Sequence, residues 1–248
     1  MKEIELLPVE RGKRIWLPVR YGDTITRIAY PAFTGTHKDC FEAIGEDKEL
    51  IPSQGLDLAL IAFGAYNGKK PEWKDIRKNA FVKSYTRSPT INNLIPKGFI
   101  KGDKGLSGVL VQKDLSGNGL TSKLVVLDLN NFNQEASGLY VSADSNKIFV
   151  PLDKYKPGEH TADSFSKDGF AIATLTPEGA ELFAKTAIDA KKVPYTWGIN
   201  PSQITNPKQR VSLLVEGSGR LGLGGVDWGR GGRATSYGLA FAVSASKK

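Results

Sequence analysis

The chain is poor in the residues on which disulfides, metal sites and acid–base catalysis depend. Its 248 residues include one cysteine, Cys40, and two histidines, His37 and His160. One cysteine cannot form an intramolecular disulfide, and a lone Cys beside a lone His falls short of the four ligands of a structural zinc site. A chain of this length buries a core without cross-links. We therefore predict no metal site and no cofactor.

Long apolar runs are also missing. No stretch approaches the roughly 18 consecutive apolar residues of a membrane-spanning helix, and the N-terminus enters charged sequence without the apolar core of a secretory signal. No Asn-x-Ser/Thr acceptor occurs apart from one with proline in the middle, at Asn200. These absences predict a soluble, cytoplasmic protein with no membrane partner.

Positive charge is present in excess and is unevenly distributed. Residues 69–104 carry ten basic and three acidic side chains, a net charge of +7, within a total of +8. Residues 191–248 carry nine and two, again +7, and the remaining segments are net acidic. Two such blocks form a polyanion-binding surface if the fold brings them together.

Apolar periodicity and turn residues indicate a mixed protein. Residues 14–33 read as a β-hairpin with its turn at 21–23. Helices are expected from Pro52 to Tyr66, from Pro71 to about Thr86, and from Pro177 onward with Thr176 as its cap. Further strands are expected at 108–112, 124–129, 138–142, 147–152, 170–174, 211–215 and 237–243, with the rest of 88–122 as loops.

The resulting fold class is α+β: an antiparallel β-sheet with about three helices, short strands and long glycine-rich loops. Residues 1–248 are expected to form a single domain, and a subdivision near 88–105 is left open. No repeat of 20–50 residues is visible.

The stretch from Gly217 to Gly222 has the spacing of a dinucleotide-binding fingerprint. That fingerprint needs a helix after its glycines and then another strand. Glycines instead continue to Gly232 and too few residues remain, so we exclude such a site.

Residues 217–233 contain phosphate-binding and base-stacking side chains. Arg220, Arg230 and Arg233 suit bidentate contacts to phosphate, and Trp228 suits stacking on a base. The alternative is a mobile hairpin loop whose glycines supply positive φ angles and whose arginines keep it soluble.

The other basic block offers a second set of candidates. Lys74, Arg77 and Lys78 would contact phosphates, and Tyr85 would stack on a base. The alternative is a solvated helix face whose aromatic stripe, including Trp73, belongs to the core.

The glycines from Gly222 to Gly225, followed by Gly238, resemble the glycine-rich loop of the repeat-associated RNA-binding proteins of CRISPR systems. The resemblance covers a small part of the chain and implies RNA as a ligand. It also implies a ferredoxin-like start, which the predicted hairpin and buried helix do not reproduce. We assign no family from it.

Three functions remain open. The first is a non-enzymatic protein that binds single-stranded RNA or DNA through the two basic blocks. The second is a structural or assembly subunit, a homo-oligomer or viral component, with incidental basic charge. The third, an enzyme, would need a pocket that brings carboxylates around His37 or His160, and no catalytic motif supports it.

Overall fold

The computed structural model describes residues 2–103, 105–118, 126–198, 207–224 and 237–245. Its α-helices are α1 (His37–Gly45), α2 (Leu56–Asn67), α3 (Pro71–Ile76), α4 (Ala162–Ser166), α5 (Gly169–Leu175) and α6 (Pro177–Asp189). A π-helical segment, Arg77–Val82, continues α3.

The strands are β1 (Ile4–Leu6), β2 (Glu10–Arg11), β3 (Ile15–Tyr21), β4 (Thr24–Tyr30), β5 (Phe33–Gly35), β6 (Leu50–Pro52), β7 (Thr86–Ile95), β8 (Gly108–Lys113), β9 (Phe132–Gln134), β10 (Tyr140–Ser142), β11 (Lys147–Pro151), β12 (Gly158–Glu159), β13 (Val193–Thr196), β14 (Lys208–Gly217), β15 (Arg220–Gly224), β16 (Gly238–Ala240) and β17 (Ala242–Ser244).

Within the described ranges the strands form two sheets. A six-stranded antiparallel sheet has the order β1-β3-β4-β17-β6, with β2 beside β3. An 11-stranded sheet runs β12-β13-β15-β14-β7-β8-β11-β10-β9, and β16 joins β7 to β5. The larger sheet is mixed, because β13 is parallel to β15 and β16 is parallel to β7.

The predicted fold class, one antiparallel sheet with about three helices and short strands, is therefore wrong. The part of the chain that the structure describes holds six α-helices and two sheets. Two strands, β7 and β14, are ten residues long. Short helices with polar caps and a long polar strand account for most of the difference.

Several local predictions are confirmed. β3 and β4 form the N-terminal hairpin, in register from Ile15 with Tyr30 to Tyr21 with Thr24. α2 ends at Asn67 as expected, although it begins at Leu56, and α6 begins at Pro177 with the Thr176 hydroxyl accepting from the Gly179 amide. The hairpin of β10 and β11 is also present.

The expectation of loops at 88–107 fails at β7. Ser88, Pro89 and Asn92 are turn-forming residue types, yet every residue of β7 is buried. The strand lies between β14 and β8, and its polar side chains are paired: the Asn92 amide nitrogen donates to the Ser212 hydroxyl at 2.9 Å. Cross-strand hydrogen bonds thus stabilise a polar strand inside the sheet.

The predicted strand at 170–174 is a helix, α5. Its apolar run suits either structure, but the Asp168 carboxylate accepts from the amides of Phe170 and Ala171, both at 3.0 Å, and caps a helix start. The predicted second helix ends at Val82, and Thr86 begins β7. Residues 124 and 125 of the predicted strand at 124–129 lie outside the described residues. The other four do not form a strand: Leu127 makes only an isolated bridge to Ile100, and a 3-10 helix begins at Leu129.

The principal core lies where α2 and α6 pack between the sheets. It includes Leu17 of β3, Leu58 of α2, Phe183 of α6 and Leu221 of β15, all with 1% exposure or less. One face of β14 and β15 is therefore covered by helices. Among the described helices, none is long and apolar enough to cross a membrane.

Candidate nucleic-acid interface

Three side chains and a glycine form an aromatic face on the larger sheet. Tyr195 lies in β13 and Trp197 follows that strand, and their ring centroids are 4.7 Å apart. The guanidinium carbon of Arg220, the first residue of β15, lies 4.6 Å from the centroid of the Tyr195 ring. Gly222 is in register with Tyr195. We call Tyr195, Trp197, Arg220 and Gly222 the aromatic face.

The alternation of β15 decides which way this face points. Leu221 and Leu223 are fully buried in the core with the helices. Successive side chains of a strand point to opposite sides of its sheet. Arg220 and Gly222 therefore lie on the side away from α2 and α6. The three side chains of the aromatic face are half-buried, so part of each contacts solvent.

A tight turn places Arg220 at the end of the β14–β15 hairpin. Ser218 and Gly219 have φ angles of 49° and 79°, the positive values of the two-residue turns that match strand twist. Arg220 donates to the Glu159 carboxylate at 2.9 Å, and the two side chains are 37% and 59% exposed. Such an exposed pair contributes about 0–1 kcal/mol, so Arg220 can exchange Glu159 for another anion at small cost.

An ionic cluster occupies the other face of the same hairpin end. Glu216 accepts from the Tyr66 hydroxyl at 2.5 Å and from Lys192 Nζ at 2.7 Å. Arg77 Nε lies 3.9 Å from Glu216, and its guanidinium lies 4.8 Å from the Tyr66 ring centroid. Burial alone would raise the pKa of Glu216, but the hydrogen bonds from Lys192 and Tyr66 outweigh it and lower that pKa. The cluster therefore keeps Glu216 ionised.

The two basic blocks adjoin in the fold. β7, from residues 69–104, pairs along β14, from residues 191–248. Glu216 is in register with Leu221, so Arg77 approaches the hairpin from the helix side, whereas Arg220 lies on the opposite side. The predicted residues Arg77 and Arg220 thus lie at one end of one hairpin but on its two faces.

The other predicted residues are placed as follows. Lys74 in α3 and Lys78 in the π-helical segment are exposed. The Tyr85 ring packs beside Gly238: a Cβ added to that glycine would lie 2.3 Å from the ring. The guanidinium carbon of Arg87 lies 5.3 Å from the centroid of the Tyr85 ring. The remaining three lie outside the described residues: Trp228, Arg230 and Arg233.

Tyr195 and Trp197 were missed from the sequence. The signal was their i, i+2 spacing in the segment from Val193 to Trp197, which places two aromatic rings on one side of a strand. The segment is short and contains Pro194, which argues against a central strand. In the fold, β13 is parallel to β15 and is bordered on its other side by the two-residue β12.

The His37 and Cys40 pair does not form a nucleophile and base. His37 Nε2 instead contacts Asp114 Oδ2 at 3.0 Å, and both side chains are buried. The Cys40 thiol is buried, which raises its pKa to about 11. A thiol with that pKa stays protonated near neutral pH and is a poor nucleophile.

His160 is held by two hydroxyl groups. Its Nε2 lies 3.1 Å from the Thr196 hydroxyl, and its Nδ1 lies 3.4 Å from the Ser164 hydroxyl. Ser164 already takes part in the capping box of α4 with Thr161. Burial lowers the pKa of His160, and the charge of Asp168 opposes this effect only in part. We read this arrangement as a neutral, structural histidine.

Stability should therefore fall as pH drops below the ordinary histidine pKa, near 6.5. In the unfolded chain His160 takes up a proton at that value, whereas the folded protein does so only at lower pH, so acid favours unfolding. The His160→Gln protein should lose less unfolding free energy between pH 7 and pH 5, measured by urea unfolding. Equal losses in both proteins would show that His160 titrates normally when folded.

No protein-family model matches the chain, and no curated protein or solved structure matches it either. Among the described residues, no group of three or more His, Cys, Asp or Glu side chains could hold a metal ion. Fold and site thus define a class only: a mixed α/β protein of two sheets with an aromatic and cationic face on the larger one.

Proposed function

We propose that the protein binds single-stranded nucleic acid, without catalysis and in the cytoplasm, and that the aromatic face is the centre of its binding surface. The observation that supports this most is the stack of Arg220 over Tyr195, with Trp197 alongside. Aromatic rings on an open sheet face stack on unpaired bases, and an arginine beside them contacts the phosphate backbone. Gly222 keeps the face shallow, since it has no side chain.

The sequence around the face supports the same function. Residues 225–233 follow β15 directly in the sequence and include the predicted contacts Trp228, Arg230 and Arg233. The net charge of +7 over residues 191–248 favours a polyanion. The exposed Lys74 and Lys78, together with Arg77 on the helix side of the hairpin, would extend the path of the nucleic-acid backbone.

Assembly is the weaker candidate. Exposed sheet edges are the usual route to strand pairing between chains. Among the described residues, the strands that end the larger sheet are β12, β9 and β5, and each has only two or three residues. Light scattering over a range of protein concentrations, without nucleic acid, tests this candidate. A mass that grows with concentration would favour assembly over nucleic-acid binding.

The Arg220→Gln protein should bind a labelled single-stranded oligonucleotide roughly tenfold more weakly, because one charge-assisted contact to phosphate is lost. The slope of log affinity against log salt should fall by about 0.7, the value for one phosphate on a single strand. Fluorescence anisotropy with oligo(U) RNA and oligo(dT) DNA at several salt concentrations measures both quantities and shows which nucleic acid binds better.

The matched control is Arg20→Gln. Arg20 also forms an exposed ion pair with a glutamate, Glu5, at 3.2 Å, but it lies on the smaller sheet. Its loss should leave affinity within twofold of the parent protein. Tyr195→Leu should weaken binding without changing the salt slope, since it removes stacking only. Equal affinities for Arg220→Gln and Arg20→Gln, or binding that ignores salt, would contradict the proposal.

A further inference from the structure

A cavity of about 500 Å³ lies between the helices and the larger sheet, on the side opposite the aromatic face. Its walls come from α5, from the first residues of α2 and α6, and from β7, β8, β10 and β11. Five aliphatic residues of its lining are Val111, Leu139, Val141, Ile148 and Ile172. This volume lies within the roughly 300–1,000 Å³ of small-molecule sites.

Two helices begin at this cavity. α2, of 12 residues, has Gly55 and Leu56 in the cavity wall, and α6, of 13 residues, has Thr176 and Pro177 there. The two starts are in contact, since a Cβ on Gly55 would lie 2.9 Å from Thr176 Cγ2. Each helix N-terminus carries about half a positive charge, and this favours an anion nearby.

Thr174 supplies an independent indication of a ligand. The residue lies in the cavity wall and is only 3% exposed. Its hydroxyl has no hydrogen-bond partner among the residues that the structure describes. A buried hydroxyl without a partner costs stability, and a turn of this side chain toward the cavity would let the hydroxyl donate a hydrogen bond to a ligand oxygen.

The lining selects the chemistry of the ligand. Lys113 and Glu135 both reach the cavity and are exposed, so their charges offset each other and the helix starts decide the preferred sign. The first-turn acids of the two helices, Asp57 and Glu178, are not among the described residues that line it. The described lining holds no arginine for a phosphate and no aromatic ring for a base. One negative charge on an aliphatic body fits best.

We propose that this cavity binds a small aliphatic monocarboxylate. The carboxylate accepts a hydrogen bond from the Thr174 hydroxyl and faces the starts of α2 and α6. The alkyl chain lies on Val111, Val141 and Ile148. This site is separate from the aromatic face and does not depend on nucleic-acid binding.

Calorimetric titration with octanoate tests the site, with octan-1-ol, octylammonium and inorganic phosphate as comparison probes. Octanoate should bind, and at least tenfold more tightly than octan-1-ol, which has the same body without the charge. Octylammonium and phosphate should not bind measurably. Octanoate should also raise the melting temperature, because a ligand that binds only the folded state stabilises it.

Thr174→Val separates a binding role from a structural one. The variant keeps the shape but removes the hydroxyl, so octanoate should bind roughly tenfold more weakly. The same variant without ligand should melt at a higher temperature than the parent protein, because a buried hydroxyl without a partner is gone. Thr174→Ser, which keeps the hydroxyl, should retain octanoate binding, and both variants should bind oligonucleotides like the parent protein.

Ala173→Leu adds bulk to the cavity wall and should abolish binding of octanoate and octan-1-ol alike. Three results would overturn the proposal: equal binding of octanoate and octan-1-ol, tighter binding of octylammonium, or no binding of any probe. A lower melting temperature for Thr174→Val would also overturn it, because the hydroxyl would then have a structural partner.

Discussion

Replacing Gly222 by alanine is expected to lower the melting temperature by roughly 6–12 °C, the shift that corresponds to about 3 kcal/mol in a chain of this size. A Cβ at this position would lie 1.8 Å from the carbonyl oxygen of Tyr195 and 3.0 Å from the Trp197 ring. The backbone of β13 must then move away from β15. Since β13 is paired with β12 and β15 with β14, the shift disrupts hydrogen bonds across the sheet.

Gly224→Ala is the matched control, on the same strand and the same side of the sheet. There the nearest atoms to a new Cβ belong to Leu213, at 4.0 Å, which is ordinary contact. Its melting temperature should stay unchanged or rise slightly, because alanine reduces the freedom of the unfolded chain. Gly222→Ala should also lose oligonucleotide binding, as Tyr195 is displaced. Equal melting temperatures for the two variants would refute the close approach of β13 and β15.

The elements that were predicted correctly carry their signal within a few residues. The β3–β4 hairpin consists of two runs of strand-forming residues around Gly22, which has a φ angle of 57°. In α6, Thr176 and Pro177 mark the start, and apolar residues repeat along one face. The β3–β4 hairpin and α6 can be predicted from local sequence, because neither needs a distant partner to form.

One element that was missed, β7, depends on partners far away in sequence. β7 reads as a loop because Asn92 and Asn93 are poor strand formers, but Ser212 and Gln209 of β14 satisfy their side chains. α1 did carry a local signal, the capping box of Thr36 and Asp39. The segment was not predicted as a helix, because His37 and Cys40 were considered there only as candidate reactive residues.

The candidate sites show the same division. The excess of cations in residues 69–104 and 191–248 was visible, but which faces they reach depends on the pairing of β7 with β14. Arg77 and Arg220 approach opposite sides of one hairpin for this reason. The cavity at Thr174 could not be predicted, because its walls come from helices and strands that are distant in sequence.

Removing Asp114 should destabilise the protein by about 3 kcal/mol or more, because it leaves a buried histidine without its partner. His37 is 0% exposed and Asp114 5% exposed, and His37 Nε2 lies 3.0 Å from Asp114 Oδ2. The other ring nitrogen of His37, Nδ1, has no hydrogen-bond partner among the described residues. In Asp114→Ala, both ring nitrogens of His37 would lack a hydrogen-bond partner among the described residues.

This pair joins the start of α1 to the segment that follows β8. The chain after Asp114 packs closely on α1, since a Cβ on Gly117 would lie 2.9 Å from the Lys38 Cα. Loss of the pair should therefore loosen both segments together. Hydrogen exchange should show faster exchange of the α1 amides in Asp114→Ala, and urea unfolding gives the loss of free energy.

Asp163→Ala is the control for the loss of an aspartate. Asp163 pairs with Lys167 at 2.7 Å, but the two side chains are 74% and 72% exposed, and such i, i+4 pairs contribute only about 0.3–0.5 kcal/mol. Its unfolding free energy should stay within about 0.5 kcal/mol of the parent protein. An equally small effect for Asp114→Ala would mean that water replaces the carboxylate at His37. The contact between α1 and the end of β8 would then be too loose to exclude solvent.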